Sequence, residues 1–298
     1  MPPDLPRQRR RAGLYARRGL STLPGRGLRR PCVFLHLPKC GGTSLAAALY
    51  GTVPLHRRVG VIDALATRRA AALSQFGWDD PMLCHEDLPA GHITFALREQ
   101  ALLTHLCWGT PLIHGHVFLS ERARDAGGTG HGWVTMMRDP AERAVSNYRM
   151  AVRAGVIPDD PDAWLDGSVG RSMAQVNLRY LTGRNRIDPG QEAEAAAIAR
   201  DRLGWFELIG FLDDPAGFAR GFARRFGPRL PMPRYNRGAG PEVRLTAAQR
   251  DRLEALVAPD REVYDAARRL FGREAAGRLA GDPGPPRAAT GAARPGPG

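Results

Sequence analysis

The hydrophobic pattern changes character at residue 31. Residues 1–30 mix Arg, Pro and Gly with few apolar positions, a composition read as a mostly disordered basic arm. Val33 to Leu37 is then a short apolar run of buried-strand length, and Pro38-Lys39-Cys40-Gly41-Gly42 is a tight turn. An Ala/Leu-rich helical segment opens at Thr43 or Ser44. Residues 61–76 carry the pattern of an amphipathic helix, and residues 78–91 read as irregular. Thr94 to Cys107 reads as a helix with Leu97, Ala101 and Leu102 on one side, and Pro111 to Phe118 as a second strand. A Gly-rich loop, Asp125 to Gly132, leads to a third strand, Trp133 to Met137.

That strand ends in Arg138-Asp139-Pro140. Asp139 suits an N-cap, Pro140 the first helical position, and Glu142 completes a capping box. The spacing predicts a helix from Pro140 to about Val152, with Val145, Tyr148 and Val152 as its core stripe. A Pro/Asp turn at 158–161 breaks the pattern; helices over 168–181 and 191–202 follow, then a late strand, Phe206 to Phe211, and a helix, Pro215 to Phe226. Residues 228–241 read as a Pro/Gly-rich loop containing Arg234, Asn236 and Arg237. Thr246–Val257 and Pro259–Phe271 read as two closing helices, and 281–298 as a disordered Gly/Pro/Ala-rich tail.

Strands alternating with helices predict an α/β fold: one domain over 31–280 with a central, mainly parallel sheet flanked by helices. Ligands of such sheets bind at the carboxyl ends of strands. Three segments end there with polar groups: Lys39 to Ser44, His114 to His116, and Arg138 to Ser146. Their convergence in one crevice is the expectation on which a functional reading depends.

Strand, Gly-rich turn, helix is an architecture that binds phosphate through backbone N–H groups at the helix start. Composition sharpens this. The chain holds 43 Lys plus Arg, and Lys39 is the sole lysine among them. An ammonium is a compact point charge, whereas a guanidinium is a planar fork, so position 39 reads as one that requires the ammonium. The motif is not a Walker A loop, in which lysine follows the glycines. His114 and His116 stand two apart, so a strand places both on one face, where a histidine is a suitable general base; the bland alternative is a satisfied, half-buried pair. Arg138 and Ser146 flank the capped helix start and are candidate phosphate donors; the alternative for Arg138 is a structural link to Asp139 or Glu142. Arg143 reads as a solvated or sheet-edge charge. Cys40 stands beside a lysine at a helix start, where a thiol pKa can fall, yet no base is apparent for it and it reads as a loop residue.

Net charge is +13, concentrated at the N-terminus, where residues 1–30 hold nine arginines and one acid, Asp4. Such an arm can touch nucleic acid or acidic lipid, and is read as a solvated tail with no nucleic acid partner. The four cysteines form no C-x-x-C pair and no zinc spacing. No apolar run has the roughly 20 residues of a membrane span, and no secretory h-region is apparent. The expectation is a cytoplasmic protein with reduced thiols and no bound metal.

Leu35 to Ser44, LHLPKCGGTS, resembles the 5′-phosphosulfate loop of sulfotransferases that use 3′-phosphoadenosine 5′-phosphosulfate (PAPS). Arg138 to Tyr148, RDPAERAVSNY, resembles their 3′-phosphate motif, R-D-P-x-x-R-x-x-S-x-Y, and His114-Gly115-His116 the H-G-H segment of the uronyl and heparan sulfate 2-O-sulfotransferase branch. Cys40 departs from the threonine common in that loop. The resemblance spans roughly residues 32–272 and implies a P-loop NTPase-like sulfotransferase architecture. It implies metal-free transfer of a sulfuryl group from PAPS to a hydroxyl acceptor, a saccharide or glycoconjugate. It further implies His116 as base assisted by His114, Lys39 at the leaving phosphate, Lys39, Cys40, Gly41, Gly42, Thr43 and Ser44 around the 5′-phosphate, and Arg138 with Ser146 at the 3′-phosphate. The acceptor pocket is expected from residues 52–110 and 155–190. A P-loop phosphotransferase and a non-catalytic polyanion-binding protein are the competing readings.

Overall fold

A computed structural model describes residues 5–125, 130–231 and 243–275. In chain order the elements are α1 (Leu5–Leu20), β1 (Cys32–Leu35), α2 (Gly42–Tyr50), β2 (Val59–Ile62), α3 (Ala64–Phe76), α4 (Gly91–Cys107), β3 (Leu112–Gly115), α5 (Glu121–Asp125) and β4 (Gly132–Met137). They continue with α6 (Pro140–Arg153), α7 (Pro161–Asp166), α8 (Ser168–Ala174), α9 (Val176–Thr182), α10 (Glu192–Asp201), β5 (Leu208–Phe211), α11 (Pro215–Phe226) and α12 (Ala247–Ala275). The tail 281–298 and the loop residues Arg234, Asn236 and Arg237 lie outside the described residues.

The five strands form one parallel sheet in the order β2-β3-β1-β4-β5, flanked by helices, so the chain is an α/β fold. β1, β4 and β5 are buried along their whole length, as a sheet covered on both faces requires. From β1 the chain runs out to β2, returns to β3 against β1, and then crosses to β4 on the other side of β1. The strand order therefore reverses at β1, and its carboxyl end is the place where such sheets open a crevice.

Several expectations are corrected. Residues 5–20 of the basic arm form α1 rather than a disordered segment. Arg18 holds it to the body, its guanidinium donating to the carbonyl oxygens of Val53 (3.0 Å), Pro54 (3.0 Å) and Arg57 (2.8 Å). The helix expected over 61–76 begins only at Ala64, capped by the Asp63 carboxylate at 2.7 Å from the Ala66 amide; Val59 to Ile62 are instead the edge strand β2. Four residues with alternating burial are too short a signal beside a long helical pattern. The stretch 168–181 breaks at Gln175 into α8 and α9, and α7 follows the Pro158–Pro161 turn.

The two closing helices are one, with Pro259 inside it. Asp260, next in sequence and fully buried, accepts from the Asn177 (3.0 Å) and Leu178 (2.9 Å) amides in the first turn of α9 and from Arg143 (3.2 Å). These contacts hold α12 continuous past a residue that lacks an N–H. Arg143 is thus a fully buried structural charge, not a solvated one; it also donates to the Met173 and Ala174 carbonyls, both at 2.8 Å. Burial pushes the Asp260 carboxyl up, opposed by Arg143 and the two amides. The buried stripe of α6 is correspondingly Ala144, Asn147, Tyr148 and Ala151, while Val145 and Val152 pack at its margin.

Candidate functional site

β3, β1 and β4 are neighbours in the sheet, so the three polar segments leave adjacent strand ends. The turn after β1 is built tightly. Lys39 takes a left-handed backbone (φ 64°), a rare conformation for a non-glycine residue, and Gly41 does so too (φ 73°). A Cβ on Gly41 would lie 2.5 Å from Leu212 Cδ1, and one on Gly42 would lie 1.5 Å from His36 Nε2. Gly41 caps α2 without any side-chain bond, so the first amides of that helix are left for another acceptor. Thr43 and Ser44 sit in this first turn, and the Ser44 amide bonds back to the Gly41 carbonyl at 3.1 Å.

His36 is the residue that inspection of the motifs passes over. Its ring stacks between His114 (centroids 5.1 Å apart) and His116 (4.1 Å). Tyr50 Oη lies 2.7 Å from His114 Nδ1, and His114 Nε2 lies 3.1 Å from His36 Nδ1. Tyr50, His114 and His36 thus form one hydrogen-bonded row, with His36 Nε2 facing the start of α2. His116 Nδ1 lies 2.7 Å from the His36 carbonyl oxygen. Only an N–H can satisfy that carbonyl, so Nδ1 carries the proton and Nε2 keeps its lone pair. His116 lies one residue past the end of β3; Gly115 before it lets Ile62 of β2 approach, since a Cβ there would be 2.7 Å from the Ile62 Cβ.

Burial, reinforced by the neighbouring imidazoles, holds these histidines neutral: His114 is lowered to about 3, and His36 lies well below its ordinary value. His116 falls to about 4, through burial first and then Arg98. Arg98 is fully buried in α4 and donates to the His116 carbonyl at 3.1 Å, to Ala64 O, to Thr67 Oγ1 and to Glu86. Burial alone would raise the Glu86 carboxyl, but Arg98 and Arg68 outweigh it and bring it down to about 2. The rings are stacked, with nitrogens turned to Tyr50, to one another and to a carbonyl, rather than converging on a point. Among the described residues no group of three His, Cys, Asp or Glu is arranged to hold a metal.

The β4 side of the crevice is cationic. Glu142, Ser146 and Met150 follow one another at the four-residue spacing of a single ridge of α6, and Arg138 precedes its N-cap. The Lys39 ammonium rests 3.2 Å from Met150 Sδ. Burial lowers the Lys39 pKa, and Arg153, Arg138 and Arg149 lower it further, opposed by Cys40. Arg138 Nε donates to Glu142 at 3.1 Å, the structural link named as its alternative, but this engages only one of its nitrogens. The Ser146 side chain is half-buried on the same ridge. Cys40 is buried, and its thiol is pushed up to about 12 by burial, which removes the thiolate considered for it. Its side chain is core, so only its backbone faces the turn.

Two cavities lie elsewhere. One of about 310 Å³ is lined by Arg171, Gln175, Arg186 and Asp188 among others, within the 155–190 stretch expected to form an acceptor pocket. The other, of about 520 Å³, lies against α1. Neither is lined by His36, Lys39, His116 or Arg138. Comparison with known proteins adds no relative: no family model matches the chain, and no curated protein matches it.

Proposed function

We propose that this protein transfers a sulfuryl group from PAPS to a hydroxyl acceptor, as the three sulfotransferase-like motifs imply. The observation that carries the reading is their placement at the carboxyl ends of β3, β1 and β4, three adjacent strands. An uncapped helix start, a sole lysine and Arg138 form an anion site beside a neutral histidine with a free lone pair.

On this reading His116 Nε2 takes the proton of the acceptor hydroxyl as its oxygen bonds to sulfur. The bond from sulfur to the bridging phosphate oxygen breaks, and 3′-phosphoadenosine 5′-phosphate leaves. Lys39 neutralises charge that builds on that oxygen, a transition-state role for a positioned cation. The turn amides from Cys40 to Thr43, with the Ser44 side chain beside them, bind the 5′-phosphate, and Arg138 with Ser146 the 3′-phosphate. His114 is held at both nitrogens and serves to position His36 rather than to accept a proton. Saccharides and glycoconjugates are the acceptor class.

Calorimetry tests the donor. 3′-Phosphoadenosine 5′-phosphate should bind at least about tenfold more tightly than ADP, since a hydrogen bond to a charged group is worth about 1.5–3 kcal/mol, and Arg138→Ala should erase the preference. Equal affinities in the wild type remove the 3′-phosphate site. Labelled PAPS offered to a saccharide panel tests the transfer itself, and label reaching no acceptor, with Mg²⁺-dependent ATP turnover in its place, establishes the phosphotransferase reading.

A further inference from the structure

α1 is turned in an unusual sense. Over residues 11–20 its partly buried positions are Leu14, Arg17, Arg18 and Gly19, while Arg11, Ala12, Gly13, Tyr15 (58% exposed), Ala16 and Leu20 (49% exposed) face solvent. With Leu23 (48% exposed) just beyond the helix, these positions follow the spacing of one helical stripe. A solvated helix ordinarily shows its charges outward. Here Arg18 is spent on three backbone carbonyls of residues 53–57, and the outer face presents Tyr15 and Leu20 with Arg11 beside them.

Charge surrounds this stripe. Residues 1–30 carry nine arginines against Asp4 alone. Leu20 lies at the cavity of about 520 Å³, which Arg17, Arg26 and Arg229 also line and to which no carboxylate contributes. Arg11, Arg26, Arg29 and Arg229 are all exposed. Apolar side chains flanked by unopposed guanidinium groups match a bilayer interface, where acyl chains accept the one and anionic headgroups the other. A nucleic acid would use the arginines and leave Leu20 and Leu23 without a role; a protein partner would have to be strongly acidic as well as apolar. We infer that the outer face of α1, with the cavity beside it, docks the protein on an anionic phospholipid surface. The cavity lies at the end of α2 opposite the turn at Gly41 and Gly42, so a docked molecule keeps the crevice clear of the bilayer. The inference is independent of the sulfotransferase reading.

Co-sedimentation of the full chain with vesicles tests it. Binding is expected to vesicles that contain phosphatidylglycerol, not to phosphatidylcholine alone, and should weaken as salt is raised. The triple variant Tyr15→Ser, Leu20→Ser, Leu23→Ser changes only exposed side chains and no charge. It should keep the wild-type melting temperature and bind about tenfold or more weakly, because the apolar contribution is lost. Absence of binding to anionic vesicles overturns the inference. So does a triple variant that binds like wild type, which reduces the effect to the charge of the arm. Tighter capture by duplex DNA that the serine substitutions leave unchanged assigns the arm to nucleic acid instead. A vesicle-free dimer abolished by the same substitutions assigns the stripe to a second copy of this chain.

Discussion

The two sides of the crevice treat charge in opposite ways. On the β3 side three imidazoles are stacked and hydrogen-bonded, and burial keeps them uncharged. On the β4 side Lys39, Arg138, Arg149 and Arg153 concentrate positive charge about one turn of chain. The loop after β1 is shared: His36 belongs to the first side and Lys39, three residues on, to the second. The contrast teaches that neutral imidazoles and clustered cations are kept apart within one strand end. A protonated imidazole beside Lys39 would add to a field that already disfavours the ammonium, so a neutral histidine is the form compatible with this neighbour.

The largest effect is expected on the neutral side. His116→Ala should lower kcat by about 10²–10⁴-fold, the usual cost of losing a general base, with 3′-phosphoadenosine 5′-phosphate affinity nearly unchanged. Single-turnover rates and calorimetry on the same preparation separate the two quantities, and wild-type turnover would move the base elsewhere, with His114 the next residue to test. On the cationic side, Lys39→Arg keeps the charge but replaces the ammonium with a fork. A loss in kcat of about 10²-fold, as for removal of one transition-state donor, should exceed any loss in donor affinity. Turnover at the wild-type rate would refute the requirement for an ammonium.

The pH dependence should show the contrast without mutation. An unfolded histidine takes a proton below about pH 6.5, whereas folded His116 and His114 do so only near 4 and 3. Between these values the unfolded chain binds more protons. The stability these groups contribute is therefore complete above pH 6.5 and is lost as pH falls toward 4, by about 1.4 kcal/mol per unit for each group. Melting temperatures from pH 7 to pH 4.5 should fall accordingly, and less steeply in His116→Ala. A flat profile would mean that the histidines titrate normally. The smallest effect is expected from Tyr50→Phe, which removes one hydrogen bond to His114 worth about 0.5–1.5 kcal/mol. It should shift the pH at which the histidine proton signals titrate and reduce kcat severalfold; unchanged titration would detach Tyr50 from the histidine row.

Much of the local chemistry was legible. The glycines of the turn, the Asp139–Pro140–Glu142 cap and the strand-helix alternation are short-range patterns, and α6 and α11 begin where their prolines and capping aspartates place them. The α/β class and the positions of Lys39, His114, His116 and Arg138 at strand ends follow from the chain alone. Tertiary structure decided what lay beyond reach of such patterns. The order β2-β3-β1-β4-β5 arises from hydrogen bonds between residues far apart in sequence, and it alone makes three strand ends adjacent. His36 and Tyr50 joined the histidine row only through contacts between β3, the end of β1 and the end of α2. The arginines at 98, 143 and 179 are fully buried because carboxylates and carbonyls from distant segments surround them. In a chain with arginine at nearly every cationic position, no local pattern separates those few from the solvated majority, since an arginine's burial depends on partners that only folding brings to it.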